Sequence, residues 1–217
     1  MRRLFNPESF IWKPLGFLGD LVTLSLLWAV CCLPLVTVGA ASAALYDTAV
    51  YVFRQKKGTP FSHFFPVFRR EWKAGVLSTL LCAAGLLLIG LVFYAALRLL
   101  PGFAERGGLV SVVAVLLAFF SLGVLCWVWP LLSRFTLSLG ALHLTALRLA
   151  LGHSLRSAGM AILWGAALYF SLRYVSPLFF LPGLAAFCCT YLIEPVFRPY
   201  EEALRTTEET TEKEISS

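Results

Sequence analysis

The chain has 217 residues, of which 59% are hydrophobic and only 14% charged, well short of the roughly one quarter charged residues of a soluble domain. With a mean hydropathy of +0.80, too little polar side chain remains to coat a soluble fold. The bilayer is therefore the expected solvent, and the length fits one bundle rather than two domains. The net charge of +6 does not point to nucleic acid. Basic residues collect on the cytoplasmic side of membrane proteins, and the aromatics interleaved with them here lie where a membrane surface is expected.

In chain order, residues 1–16 read as an amphipathic interfacial segment. Asn6 is placed to cap a helix with Pro7 at its first position. Trp12 is an aromatic anchor beside Phe10 and Ile11, with Arg2, Arg3 and Lys13 for polar contacts. The first residues are too polar for a signal-peptide core. The apolar run 21–38 is too long for one and lacks a cleavage pattern, so it is expected to be a retained span. A first span is predicted at about 15–33, with Asp20 in its first turn. Pro34 should break or kink it.

A second, weaker span is predicted at 35–53. Gly39 and Ala43, and Ala40 and Ala44, stand four residues apart, a spacing that lets helices approach closely in lipid. Thr37 and Ser42 can satisfy backbone groups loosened near Pro34. Pro34, Thr37, Gly39, Ala40, Ala43 and Ala44 form the candidate helix-packing motif, and Asp47 is the candidate polar residue at membrane depth. Residues 54–73 hold six basic residues and one acid, with Phe61, Phe64, Phe65, Phe68 and Trp72 on one helical face. A bent interfacial helix interrupted by Pro66 is expected, with Arg69, Arg70 and Trp72 as interfacial anchors.

The clearest spans are predicted at 74–97 and 109–132, joined by the turn-rich loop 101–108. A second interfacial helix is expected at 133–156, with Thr145, Arg148, Gly152 and Arg156 as its polar stripe. A short fifth span follows at 157–172. A sixth is expected at 177–193, capped by Ser176 and bent at Pro182. Residues 1–199 are thus read as a single transmembrane domain and 200–217 as a disordered acidic cytoplasmic tail.

The fold expectation is all-α: a polytopic transmembrane helical bundle of six spans, five being the alternative, with two interfacial amphipathic helices. If 35–53 crosses the bilayer, fifteen of the eighteen Lys and Arg residues share one side; if it lies flat, the split is twelve to six. The positive-inside rule therefore favours six spans with both termini cytoplasmic.

Little here carries chemistry. The six cysteines lie inside apolar runs, two pairs of them adjacent in sequence, and read as small packing residues. His63, His143 and His153 show no metal-ligand spacing. No Walker, nucleophile-elbow or zinc-protease pattern occurs. No cofactor and no enzymatic activity are expected. The expected partners are the lipid bilayer, a second membrane protein and, as a further option, other copies of this chain.

Several stretches carry a family likeness. They are Leu18-Gly19-Asp20-Leu21, Leu26-Leu27-Trp28, the run Leu33-Pro34-Leu35-Val36-Thr37-Val38-Gly39-Ala40-Ala41 with Ala44-Leu45-Tyr46, then 61–73, 130–135 and 191–194. Together they resemble the YesL family of small bacterial membrane proteins, a domain of unknown function. Ser25 and Thr145 stand where family members often carry Asn. The resemblance implies a multi-pass protein of the bacterial cytoplasmic membrane, often encoded near carbohydrate uptake and sensing systems. It implies no catalytic residue. The expected role is a non-enzymatic accessory or scaffold partner of a carbohydrate permease or sensor; the alternative is a small-solute transporter or channel, with Thr37, Ser42, Asp47 and Thr48 along its route.

Overall fold

The computed structural model describes residues 7–99, 107–135, 137–174 and 176–216. The expectations placed on Arg2, Arg3, Asn6 and residues 101–106 lie outside the described residues, as does the side chain of Trp12. Among the described residues the chain is all-helical, with eight α-helices and no strand. These are α1 (Pro7–Cys31), α2 (Val38–Ala49), α3 (Pro60–Arg70), α4 (Trp72–Leu99), α5 (Gly107–Arg134), α6 (Leu139–Gly152), α7 (Ser154–Arg173) and α8 (Leu181–Ser216). Among the described residues, three helical segments are long and apolar enough to cross a membrane: Leu35–Arg54, Trp72–Ala95 and Ser154–Arg173.

A segment of only modest hydropathy, far less apolar than Trp72–Ala95, is the centre of the fold. In the span Leu35–Arg54, 72% of the most apolar window is buried, against 6% in Trp72–Ala95. The reason is side-chain size. Ala40, Ala41, Ala43 and Ala44 are fully buried, and such short side chains let α1, α3, α4, α5 and α8 all pack against α2. Helix α2 is entered through a single 3₁₀ turn, Leu35–Thr37, and left through a π-helical turn, Val50–Arg54.

Residues 54–73 hold a turn, a helix and the start of α4 rather than one continuous helix. Lys56 and Gly58 take positive φ angles of 54° and 59°, which turns the chain sharply. Helix α3 then folds back along α2. Its His63 meets Asp47, and Phe64 and Val67 are buried with Ala41, Ala44 and Leu45 of α2 and Leu24 and Trp28 of α1. The aromatic stripe is therefore split. Phe64 faces the bundle, while Phe61, Phe65 and Trp72 are exposed. Arg54, Lys56 and Lys57 sit at one end of α3 and Arg69, Arg70 and Lys73 at the other, about 16 Å apart at 1.5 Å per residue.

Asp20 is not in a first turn, because helix begins at Pro7 and runs unbroken to Cys31. Pro182 does not bend a helix either; it lies in the first turn of α8, where a missing N–H is harmless. Helix α6 buries Leu142, Ala146, Leu149 and Ala150 in the larger core cluster, with Trp127 and Leu131 of α5 and Ile193 and Phe197 of α8. The stretch read as a disordered tail continues α8 as helical backbone to Ser216; its Glu, Lys and Arg are good helix formers.

Candidate functional site

The Pro34–Ala44 segment builds a tight turn and then a close crossing. Pro34 is extended at the turn (φ −77°, ψ 113°). The Thr37 hydroxyl, 1% exposed, donates to the carbonyls of Cys31 and Pro34, and its own N–H bonds to Pro34 O at 2.9 Å. Carbonyls that the end of α1 leaves unpaired are thus satisfied without water. Two residues on, Gly39 N–H donates to Thr79 Oγ1 at 2.9 Å, and that hydroxyl donates to Gly75 O at 2.8 Å. A Cβ on Gly75 would come within 3 Å of the Ala40 backbone, and one on Gly39 would strike Gly75 O. Both positions need glycine for close approach. Of the alanines, Ala43 joins the cluster around α5, α6 and α8, while Ala44 joins the cluster with α1 and α3.

One turn past the alanines lies a charged cluster. Arg134 Nη2 of α5 donates to Glu194 Oε1 of α8 at 2.8 Å, and its Nε lies 3.7 Å from Asp47 Oδ1 of α2. His63 Nε2 of α3 is 2.9 Å from Asp47 Oδ2; the carboxylate can only accept, so Nε2 is the donor. The Tyr46 hydroxyl donates to the same Glu194 oxygen at 3.2 Å. The side chains of Asp47, His63, Arg134 and Glu194 are only 13–25% exposed. The π-helical turn carries the chain on so that the Tyr51 ring lies flat on His63, 3.9 Å between centroids and 3° between planes. It also brings Arg54 Nη1 to Thr190 O at 2.8 Å.

Chemically, the cluster is a clasp. One guanidinium spans two carboxylates and joins α2, α5 and α8, with α3 tied in through His63. Arg suits this role because its planar fork serves two acceptors at once. Among the described residues no group of three or more His, Cys, Asp or Glu is arranged to hold a metal.

Beside the clasp is a cavity of about 320 Å³, walled by Trp28, Ser42, Tyr46, Cys126, Trp129 and Trp164, with further apolar residues of α1, α2, α5, α7 and α8. Trp28 Nε1 donates to Ser42 Oγ at 3.2 Å. Tyr46 belongs to both features, with its ring in the cavity wall and its hydroxyl on Glu194. None of Asp47, His63, Arg134 or Glu194 lines the cavity.

Sequence reasoning located Asp47 but not its partners. In the sequence Glu194 and Arg134 simply stand at the ends of two separate apolar runs, and His63 shows no ligand spacing to another histidine. Their one shared signal is that each is an ionisable group beside a long apolar run. The other two histidines sit elsewhere. His143 directs Nδ1 to Leu139 O at 2.8 Å and Nε2 toward Ser78 and Cys82, while His153 packs near Trp127. The four residues of the proposed solute route look into separate environments: Thr37 in the turn, Ser42 at the cavity, Asp47 in the clasp and Thr48 fully buried. Of the interfacial anchors, Arg69 is exposed, Arg70 bonds Glu71 at 2.6 Å and Ser133 O at 3.2 Å, and Trp72 packs edge-on against Phe68. Ser25, fully buried, accepts Gly183 N–H at 2.9 Å and so pins α8 to α1.

Residues 21–95 match the model of a family described as a protein of unknown function, DUF624. The matched stretch contains the Pro34 turn, the Gly39–Gly75 crossing, Asp47 and His63; Arg134 and Glu194 lie beyond it. No curated protein and no solved structure matches the chain.

Proposed function

We propose that this chain is a multi-pass protein of the bacterial cytoplasmic membrane, with six spans and both termini cytoplasmic. Its role in this reading is that of a non-enzymatic accessory or scaffold partner of a carbohydrate transport or sensing system. The observation that supports a partner role is the isolation of α4. The apolar stretch Trp72–Ala95 is 6% buried and joins the bundle mainly at its beginning, where Gly75 meets α2. Beyond that crossing, Leu80, Leu87, Leu91 and Val92 are exposed, and Gly85 and Gly90 have open space where a Cβ would stand. Lipid alone covers a leucine surface well, but small residues on a span favour close approach of another helix. The carbohydrate setting rests on the family resemblance. A small-solute transporter draws no support from Thr37, Ser42, Asp47 and Thr48, which share no common lining.

The test is photo-crosslinking in native membranes from a photoreactive residue at Leu87, with Tyr169 of α7 as the comparison site. The expected result is an adduct of discrete mass with another membrane protein, formed from position 87. Adducts with lipid alone would overturn the accessory role.

A further inference from the structure

The cavity behind Tyr46 is lined almost wholly by apolar groups, yet it is not a sealed void of the core. Its mouth lies between the α1–α2 turn, α5 and α7. Leu35, one of its rim residues, is 80% exposed, and Leu168, another, is 39% exposed. The turn that carries Leu35 is apolar and exposed on either side of it as well, at Leu33 and Val36. In the membrane placement proposed above, on which this inference rests, the α1–α2 turn lies at the edge of the bilayer and the mouth beside it meets lipid. Behind it stand three indole rings, Trp28, Trp129 and Trp164, and the Tyr46 ring. Two of its polar groups are already engaged. Ser42 accepts the Trp28 N–H, and the Tyr46 hydroxyl is committed to Glu194.

These features select the occupant. A sugar or any polyol needs many hydrogen-bond partners, and the wall offers almost none. An ion needs a charge or a ring of carbonyls, and no charged side chain lines the space. Water in an apolar cavity lacks the two to four polar partners that hold it. What fits is a neutral chain arriving sideways from the lipid. We infer that this cavity is a binding site for one hydrocarbon chain of a membrane lipid, inserted end-first between α1, α5 and α7 against Trp28, Trp129 and Trp164. The cavity of about 320 Å³ has room for part of such a chain. The headgroup stays outside the mouth, beyond Leu35.

The experiment uses the full chain in vesicles of phosphatidylcholine brominated on its acyl chains, in a W12F/W72F background. Trp127 is fully buried and lies outside the cavity wall, so quenching reports the cavity tryptophans. The expected result is loss of at least half the emission, restored at least twofold when A186L or C126F fills the cavity from α8 or α5. Protein that floats with the vesicles but loses less than a tenth of its emission overturns the inference alone. Quenching unchanged in both filled variants overturns it too. Protein that fails to float overturns the membrane placement and this inference together. Delipidated protein that takes up decane but retains no phospholipid in native mass spectrometry assigns the site to a free apolar solute instead, which also overturns it.

Discussion

Gly39 and Gly75 meet backbone to backbone where α2 crosses α4, joined through the Thr79 hydroxyl that accepts from one and donates to the other. This crossing is the main attachment of the exposed span, so its tolerance for added atoms is small. G39A and G75A should each destabilise the protein in detergent by about 1–3 kcal/mol, the usual penalty for overpacking a tight contact. G85A, where the added methyl meets open space, should be neutral. Thermal unfolding followed by a thiol-reactive dye reads this directly, because buried Cys126 and Cys189 become reactive only on opening. Equal melting of G39A and G85A would show that the crossing is not close.

The charged clasp makes an asymmetric prediction. Removing Arg134 leaves Asp47 and Glu194, both mostly buried, without their shared cation. R134A should cost about 3–5 kcal/mol, as breaking a buried ion pair from one side does. R134K should recover only part of the loss, since one ammonium lacks the fork that reaches both acceptors. The triple change R134M/D47N/E194Q should be milder than R134A, because no uncompensated charge remains. A triple variant as unstable as R134A would mean that the clasp acts through packing rather than charge.

Two hydroxyls carry turns of the backbone. T37V removes the bonds to the Cys31 and Pro34 carbonyls, and S25A leaves the buried Gly183 N–H without its acceptor. Each should cost about 1–3 kcal/mol, the penalty for an unsatisfied buried polar group. T23A, whose hydroxyl bonds within its own helix at a more exposed site, should change stability by less. Hydrogen exchange at Gly183 supplies a local reading: it should speed up in S25A and not in T37V.

The fold-back of α3 gives a labelling test of the topology. Single cysteines at positions 57 and 73 flank the helix at its two ends. With six spans and both termini cytoplasmic, a membrane-impermeant maleimide added to intact cells should label neither, and added to inverted vesicles should label both. Labelling of position 73 from outside the cell would place the two basic groups on opposite faces and reject the six-span count.

The sequence by itself determined the helical class, the approximate limits of α4 and α5, the break at Pro34 and the need for small residues at Gly39, Ala40, Ala43 and Ala44. These are local properties: apolar run length, proline geometry and side-chain volume act over a few residues and are readable one segment at a time. It also singled out Asp47, because an acid beside apolar runs is conspicuous. The tertiary structure alone decided that a span of modest hydropathy, rather than the most apolar one, is the hub, since burial depends on how many neighbours an alanine face admits rather than on hydropathy. It decided that α3 turns back at Lys56 and Gly58 and divides the basic cluster that charge counting had treated as one. It alone brought Arg134 and Glu194 to Asp47 across more than 80 residues of chain, and placed Tyr46 between that clasp and the apolar cavity. Those pairings follow from helix crossing angles and register, which no single segment encodes.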